Sequence, residues 1–188
     1  MLRIVGIPGS LRRHSYNAAL LRAAAELAPP AVQVEILSIA EIPLFNEDIE
    51  TGAGIPAAVA GIKDRIAAAD GLMIATPEYN NGMPGVLKNA IDWLSRPPGD
   101  IDRVFGGKPV VTMGASLGAF GTVMSQAAWL PVLRALRMRP WFGHRSPHVG
   151  LARSVFGGDG SLTNSEIRDQ LGVFMAGFAS FVADCAED

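Results

Sequence analysis

The chain has 188 residues, 49% of them hydrophobic and 18% charged, with sixteen Lys and Arg against eighteen Asp and Glu for a net charge of −2. That length suits one domain with a sizeable core, the single Cys185 excludes a disulfide scaffold, and the near-neutral balance provides no field to draw nucleic acid or anionic lipid. The apolar run that opens at Met1 stops at Pro8, too short for a signal peptide, so the expected compartment is the reducing cytoplasm.

Short apolar runs at residues 2–7, 32–39, 71–76, 109–115 and 138–141 predict five strands. Their unbroken apolarity fits parallel strands covered on both faces. Residues 17–27, 56–69, 84–95, 122–136 and 166–183 carry apolar side chains at helical spacing. Pro56 and Pro84 suit first-turn positions, and Thr163 with Glu166 reads as a capping box for the last helix. The uncharged stretch 109–133 exceeds the length of a membrane-spanning helix, but Gly114, Gly118, Gly121, Gln126 and Pro131 interrupt it. It reads as strand, glycine-rich loop and helix. The alternation of strand and helix predicts a single α/β domain over residues 1–188, a doubly wound parallel sheet with helices on both faces.

Such a sheet binds ligands beyond the carboxyl ends of its strands, where the direction of winding reverses. Three distinctive loops fall at that end, residues 9–17 after the first strand, 77–82 after the third and 114–121 after the fourth. A helix starting near Ser15 or Asn17 presents unpaired N–H groups and the positive end of its dipole. Ser10, Ser15 and Asn17 add neutral donors and Arg12 a charged one, the set that a terminal phosphate monoester needs. The plainer alternative is a capped helix start with solvated Arg12, Arg13 and His14. The chain lacks Gly-x-Gly-x-x-Gly after the first strand and has no Gly-x-x-x-x-Gly-Lys-Ser/Thr, so nothing in it reads a pyrophosphate. A single-phosphate ligand with a large planar head fits, its ring between the second and third loops.

These residues resemble the NADPH-dependent FMN reductase family of flavodoxin-like quinone and chromate reductases. The resemblance is carried by Gly9-Ser10-Leu11-Arg12 with Ser15 and Asn17, by Ile42-Pro43-Leu44-Phe45, and by Thr76-Pro77-Glu78-Tyr79-Asn80 running on to Pro84-Gly85. Lys88-Asn89-Ala90-Ile91-Asp92-Trp93-Leu94 and Ser116-x-Gly118 complete it. It implies a flavodoxin-like five-stranded sheet in the order 2-1-3-4-5 and FMN as cofactor, its phosphate held by Ser10, Arg12, Ser15 and Asn17 beside Tyr16. By the same resemblance Pro77, Glu78, Tyr79 and Asn80 line one side of the ring, largely through backbone, while Ser116 and Gly118 approach its other edge. It further implies NADPH or NADH as hydride donor and small acceptors such as quinones, chromate, azo compounds or free FMN. A homodimer or homotetramer is implied as well, with Trp93 and Leu94 at a subunit contact; a core helix face is the plain reading of those two. Phe45, where Tyr is common, and residues 141–158 depart from the family pattern.

Other chemistry is open to test on the same residues. Gly114-Ala115-Ser116-Leu117-Gly118 matches a hydrolase nucleophile elbow, but the first acid after Ser116, Asp159, follows the last histidine, His148, so the required order of acid then histidine is missing. His144 and His148 have the spacing of a metal pair, yet Pro147 separates them and no Cys or carboxylate lies near, so no metal site is expected. Pro8-Gly9-Ser10 after the first strand offers no acids for a phosphoacceptor's metal. The rival of a different class is a flavodoxin-like one-electron carrier, which displays an acidic docking face that this chain's charge balance does not suggest. The expectation is therefore an FMN-dependent NAD(P)H oxidoreductase with ping-pong kinetics and no catalytic side chain, because the flavin carries the chemistry.

Overall fold

The computed structural model describes residues 1–143 and 146–187. Strands β1 (Leu2–Pro8), β2 (Val32–Ile36), β3 (Gly71–Ala75), β4 (Pro109–Ala115) and β5 (Arg139–Pro140) form a parallel sheet in the order β2-β1-β3-β4-β5, the flavodoxin-like arrangement expected. A further short strand, β6 (His148–Val149), pairs in parallel with the last two residues of β4. The second strand ends earlier than its apolar run. Leu37 N–H still reaches Gly6 O at 2.9 Å, but the Ser38 hydroxyl then accepts the Ala40 N–H and the chain turns away.

The helices are α1 (Tyr16–Glu26), α2 (Glu47–Ala53), α3 (Ala57–Ala67), α4 (Gly85–Leu94), α5 (Ile101–Val104), α6 (Val123–Ala135), α7 (Ala152–Val155) and α8 (Ser165–Glu187). Successive strand residues feed opposite faces of the sheet. Ile4, Met73 and Val111 pack with Leu20 and Leu21 of α1 and Phe174 and Phe178 of α8. Val5, Leu72, Ile74 and Val110 pack with Ile66 of α3, Leu87 and Ile91 of α4, and Trp129 and Leu133 of α6. Each large side chain taken fully out of water this way contributes about 1.5–3 kcal/mol. No helix among the described residues is long and apolar enough to cross a membrane.

Several local expectations need correction. Trp93 and Leu94 are 0% exposed within one chain, and the Trp93 indole N–H donates to Pro43 O at 2.9 Å, so both belong to the subunit's own core rather than to a subunit contact. The last helix is capped by Asn164, whose Oδ1 accepts the Ile167 N–H at 2.9 Å, while Thr163 donates its hydroxyl to Val155 O. Pro56 and Pro84 stand at the N-cap positions of α3 and α4, one residue before the first turn. Helix α2 has no buried residue, so it leaves no apolar period in the sequence; Asn46 starts it by accepting the Asp48 N–H at 2.9 Å.

A buried cation ties the loop after α4 to α3. Lys63 has a side chain only 4% exposed, pairs with Asp100 at 2.6 Å and donates to Arg96 O. Hydrogen bonds from Arg103 and then from Lys63 hold the Asp100 carboxyl well below the ordinary carboxylate range. Its contribution to stability is therefore complete above the unfolded carboxyl pKa, near ~4, and is lost as pH falls toward the lower folded value. Asp100→Asn is expected to lower stability by about 1.5–3 kcal/mol at neutral pH, the scale of a hydrogen bond to a charged group. Urea unfolding checks this, and the gap between parent and variant closes below about pH 4.

Candidate functional site

The first loop delivers the chain to the start of α1. Ser15 is extended, and its Oγ accepts the Ala18 N–H at 3.2 Å, which caps the helix. Ala19 N–H bonds to Ser15 O, so the N–H groups of Tyr16 and Asn17 are left without an acceptor among the described residues. Arg12 folds back over this end. One guanidinium nitrogen donates to His14 O at 2.6 Å, and the group lies 5.1 Å from the centre of the Tyr16 ring, which itself rests against Phe156. Ser10 Oγ accepts the Arg12 N–H.

Asn17 has a different part from the one its position suggests. Its Nδ2 donates to Ala115 O and its Oδ1 accepts the Ala115 N–H, both at 2.9 Å in a buried setting. The amide is thus a strut between α1 and the end of β4, and what Asn17 can offer an anion is its backbone N–H.

The second loop lies directly against the first. A Cβ on Gly9 would stand 2.6 Å from Leu87 Cδ2 and 2.9 Å from Pro77 Cδ, so glycine is what permits the approach. Tyr79 and Gly82 exchange backbone hydrogen bonds of 3.1 and 3.0 Å across Asn80 and Asn81, whose φ values are 50 and 58°. This is a tight turn of the I′ kind, for which Asn is well suited. Glu78 does not aim a free carboxylate at a ligand. Its Oε2 accepts the Ser125 N–H at 3.0 Å in the first turn of α6, where a negative charge is favoured.

The third loop is wound against the chain that follows it. Ser116 and Leu151 donate their N–H groups to Val149 O and Gly118 O, and the Ser116 hydroxyl donates to Gly121 O at 2.6 Å. Ser116 is therefore neither an activated nucleophile nor a side-chain donor to a ligand. Gly121 has φ 65°, and a Cβ there would meet the His148 carbonyl carbon at 2.5 Å. This winding leaves the N–H groups of Leu117, Gly118, Ala119 and Phe120 without acceptors among the described residues.

The three loops enclose a cavity of about 550 Å³, within the range of small-molecule and cofactor sites. Every candidate residue read from the sequence borders it: Ser10, Arg12, Ser15, Tyr16 and Asn17 from the first loop, Pro77, Glu78, Tyr79 and Asn80 from the second, Ser116 and Gly118 from the third. Asn81, Ala115, Leu117, Phe120 and Gly121 border it too and were not singled out; their one signal was membership of the same loops. Phe45 does not reach it. Its N–H donates to Asn89 Oδ1 and its ring sits edge-on to Trp93, so the 42–45 run braces α4. His144, considered with His148 as a metal pair, lies outside the described residues.

A family model described as NADPH-dependent FMN reductase matches residues 2–144. The chain belongs to that family. It is 43% identical over 168 residues to an NAD(P)H-dependent FMN reductase of Pseudomonas aeruginosa, covering 89% of this chain and 88% of the relative. It is 37% identical to a 2-hydroxy-1,4-benzoquinone reductase of a Burkholderia species, over 97% of each. Among solved structures, FerB of Paracoccus denitrificans, a flavoenzyme NAD(P)H:(acceptor) oxidoreductase, superimposes with a TM-score of 0.86 at 30% identity, over 98% of each chain. As an FMN reductase family member the chain is an oxidoreductase. The family match ends at residue 144, whereas β6 and α7, which support the third loop from behind, lie beyond it.

Asn17→Ala removes both partners of Ala115 and leaves a buried N–H and C=O unpaired. It is expected to lower stability by about 2–4 kcal/mol, read by urea unfolding of the apoprotein.

Proposed function

We propose that the cavity holds FMN and that the chain passes two electrons from NADPH or NADH to quinones or similar small acceptors. The observation that carries this reading is the convergence, beyond the carboxyl ends of β1, β3 and β4, of a helix N-terminus with Arg12, a tight Asn turn and a loop with four unpartnered amides. The donor chemistry fits FMN part by part. A phosphate monoester suits Arg12, the Ser10 and Ser15 hydroxyls and the N–H groups of Tyr16 and Asn17. A flat ring with polar edges suits the backbone of Pro77 to Asn80 and of Leu117 to Phe120.

When bound, FMN supplies the hydride chemistry, accepting two electrons from the nicotinamide and returning them to the acceptor. The chain supplies binding, orientation and charge. Arg12 is pre-ordered by His14 O and the Tyr16 ring, so little side-chain freedom is lost when it meets an anion. Backbone donors of the second and third loops offer fixed dipoles to the negative charge that two-electron reduction brings. No acid, base or nucleophile is required of the lining side chains, and the carboxylate of Glu78 and the hydroxyl of Ser116 are both committed elsewhere.

Four exposed apolar side chains, Phe120, Val123, Met124 and Leu130, run out of the third loop and along α6. They support a homodimer or homotetramer of this single-domain chain, with one contact beside the cavity. The free Cys185 supports a reducing, cytoplasmic setting.

The test is anaerobic addition of NADPH to the FMN-loaded protein, followed by a benzoquinone. The visible flavin band should bleach in one two-electron step and return with the quinone; a stable one-electron radical band would make the chain a carrier. Arg12→Ala is expected to weaken FMN binding by about 1.5–3 kcal/mol, roughly 10- to 150-fold, and to leave riboflavin affinity unchanged, read by fluorescence titration. One flat ligand at a time can lie on the open ring face, so donor and acceptor alternate. Double-reciprocal plots at several quinone concentrations should be parallel, and intersecting lines would contradict alternation.

A further inference from the structure

Thr76, Ser125 and Trp129 are completely buried behind the second loop, and their polar atoms form a closed cluster. The Trp129 indole N–H donates to Thr76 Oγ1 at 3.0 Å, Ser125 Oγ lies 2.7 Å from the same oxygen, and Thr76 Oγ1 lies 3.0 Å from Pro77 O. Donor counting orients the cluster. An indole N–H only donates and a carbonyl only accepts, so the single Thr76 proton goes to Pro77 O and Ser125 gives its proton to Thr76. Ser125 also gives its backbone N–H to Glu78 Oε2 at 3.0 Å.

These bonds hold the Pro77 carbonyl and the Glu78 side chain, on either side of one peptide group that borders the cavity. The Pro77–Glu78 peptide is trans, the one cis bond among the described residues being Arg96–Pro97, so its C=O and N–H point in opposite directions. With Pro77 O held to a buried hydroxyl, the Glu78 N–H is turned away from the core, and it has no acceptor among the described residues. Packing alone would be served as well by apolar side chains of the same shape. A fully satisfied buried polar cluster instead fixes one arrangement, because any partial arrangement leaves polar atoms unpaired.

We propose that Thr76, Ser125 and Trp129 are positioning residues that aim the Glu78 N–H at the flavin ring, where it favours the reduced, negatively charged form over the oxidised form. This rests on the reading of the cavity as an FMN site. Thr76→Val keeps the shape and removes the hydroxyl, which frees the Pro77–Glu78 peptide; Thr76→Ser restores the bond. Dissociation constants for FMN and riboflavin come from fluorescence quenching, and the midpoint potential of bound FMN from equilibration with a reference dye. In Thr76→Val both oxidised flavins should bind about tenfold more weakly, and equally so, because the peptide meets the ring and not the phosphate. Reduced FMN should lose a further tenfold, which lowers the two-electron potential by about 30 mV. Thr76→Ser should match the parent in all three values. Trp129→Phe, which keeps an aromatic ring and removes the N–H, should shift the potential in the same direction, and it carries the test if Thr76→Val loses its cooperative melt. A parental potential in folded Thr76→Val and Trp129→Phe proteins would overturn the proposal, as would a loss confined to FMN with riboflavin spared. A parent protein that binds no flavin would overturn instead the reading of the cavity on which the proposal rests.

Discussion

The two hydrogen bonds between the Asn17 amide and the backbone of Ala115 set the geometry on which the rest of the site depends. They join the first residues of α1, where two amides lack acceptors, to the end of β4, where the third loop begins. Without that strut the start of α1 and the third loop would be tied only through the sheet ladder and side-chain packing, which tolerates small slides. With it, the distance between the two ends is fixed by bond lengths. Gly9 adds the complementary constraint by letting the first loop lie in contact with Pro77 and Leu87, so the second loop is registered against the same reference.

Behind these contacts the sheet has a plain physical task. The β2-β1-β3-β4-β5 order brings β1, β3 and β4 side by side, and their carboxyl ends release three loops into one small region. Helices α1 and α8 cover one face and α3, α4 and α6 the other, so the strands are not free to shear. Three of the polar side chains that line the cavity are spent on this frame: Glu78 on α6, Ser116 on its own loop, Asn17 on β4. In the proposed reading, recognition falls to backbone amides whose direction the fold sets, to Arg12 and to the Ser10 and Ser15 hydroxyls.

What could be read in the sequence follows from how local its cause is. Strands buried on both faces leave unbroken apolar runs, so β1, β3 and β4 were visible, and the loops after them marked the ligand end of the sheet. The family motifs point to candidate residues in those loops, and all of them border the cavity. Helix α2 leaves no signal because it has no fully buried residue, only Ile49 resting partly covered on the core, and the cap of α8 lies one residue beyond Thr163 because Thr163 and Asn164 are both good caps and only the structure shows which oxygen reaches an amide. Side-chain roles were hidden for another reason. Asn17 meets a partner 98 residues away and Glu78 one 47 residues away, and no spacing rule encodes such pairs. For Trp93 the plain reading of its apolar helix face holds over the subunit contact that the family resemblance implies, because the chain itself covers it with the 42–45 run.

The most direct measurement of where the flavin sits is an amide-resolved nitrogen–proton NMR titration of the apoprotein with FMN. Shifts concentrated at Tyr16, Asn17, Glu78 and the amides from Leu117 to Phe120 are the expected result, with riboflavin sparing the first two. Shifts centred elsewhere, such as along the Trp141, Val173 and Phe174 groove on α8, would contradict the site.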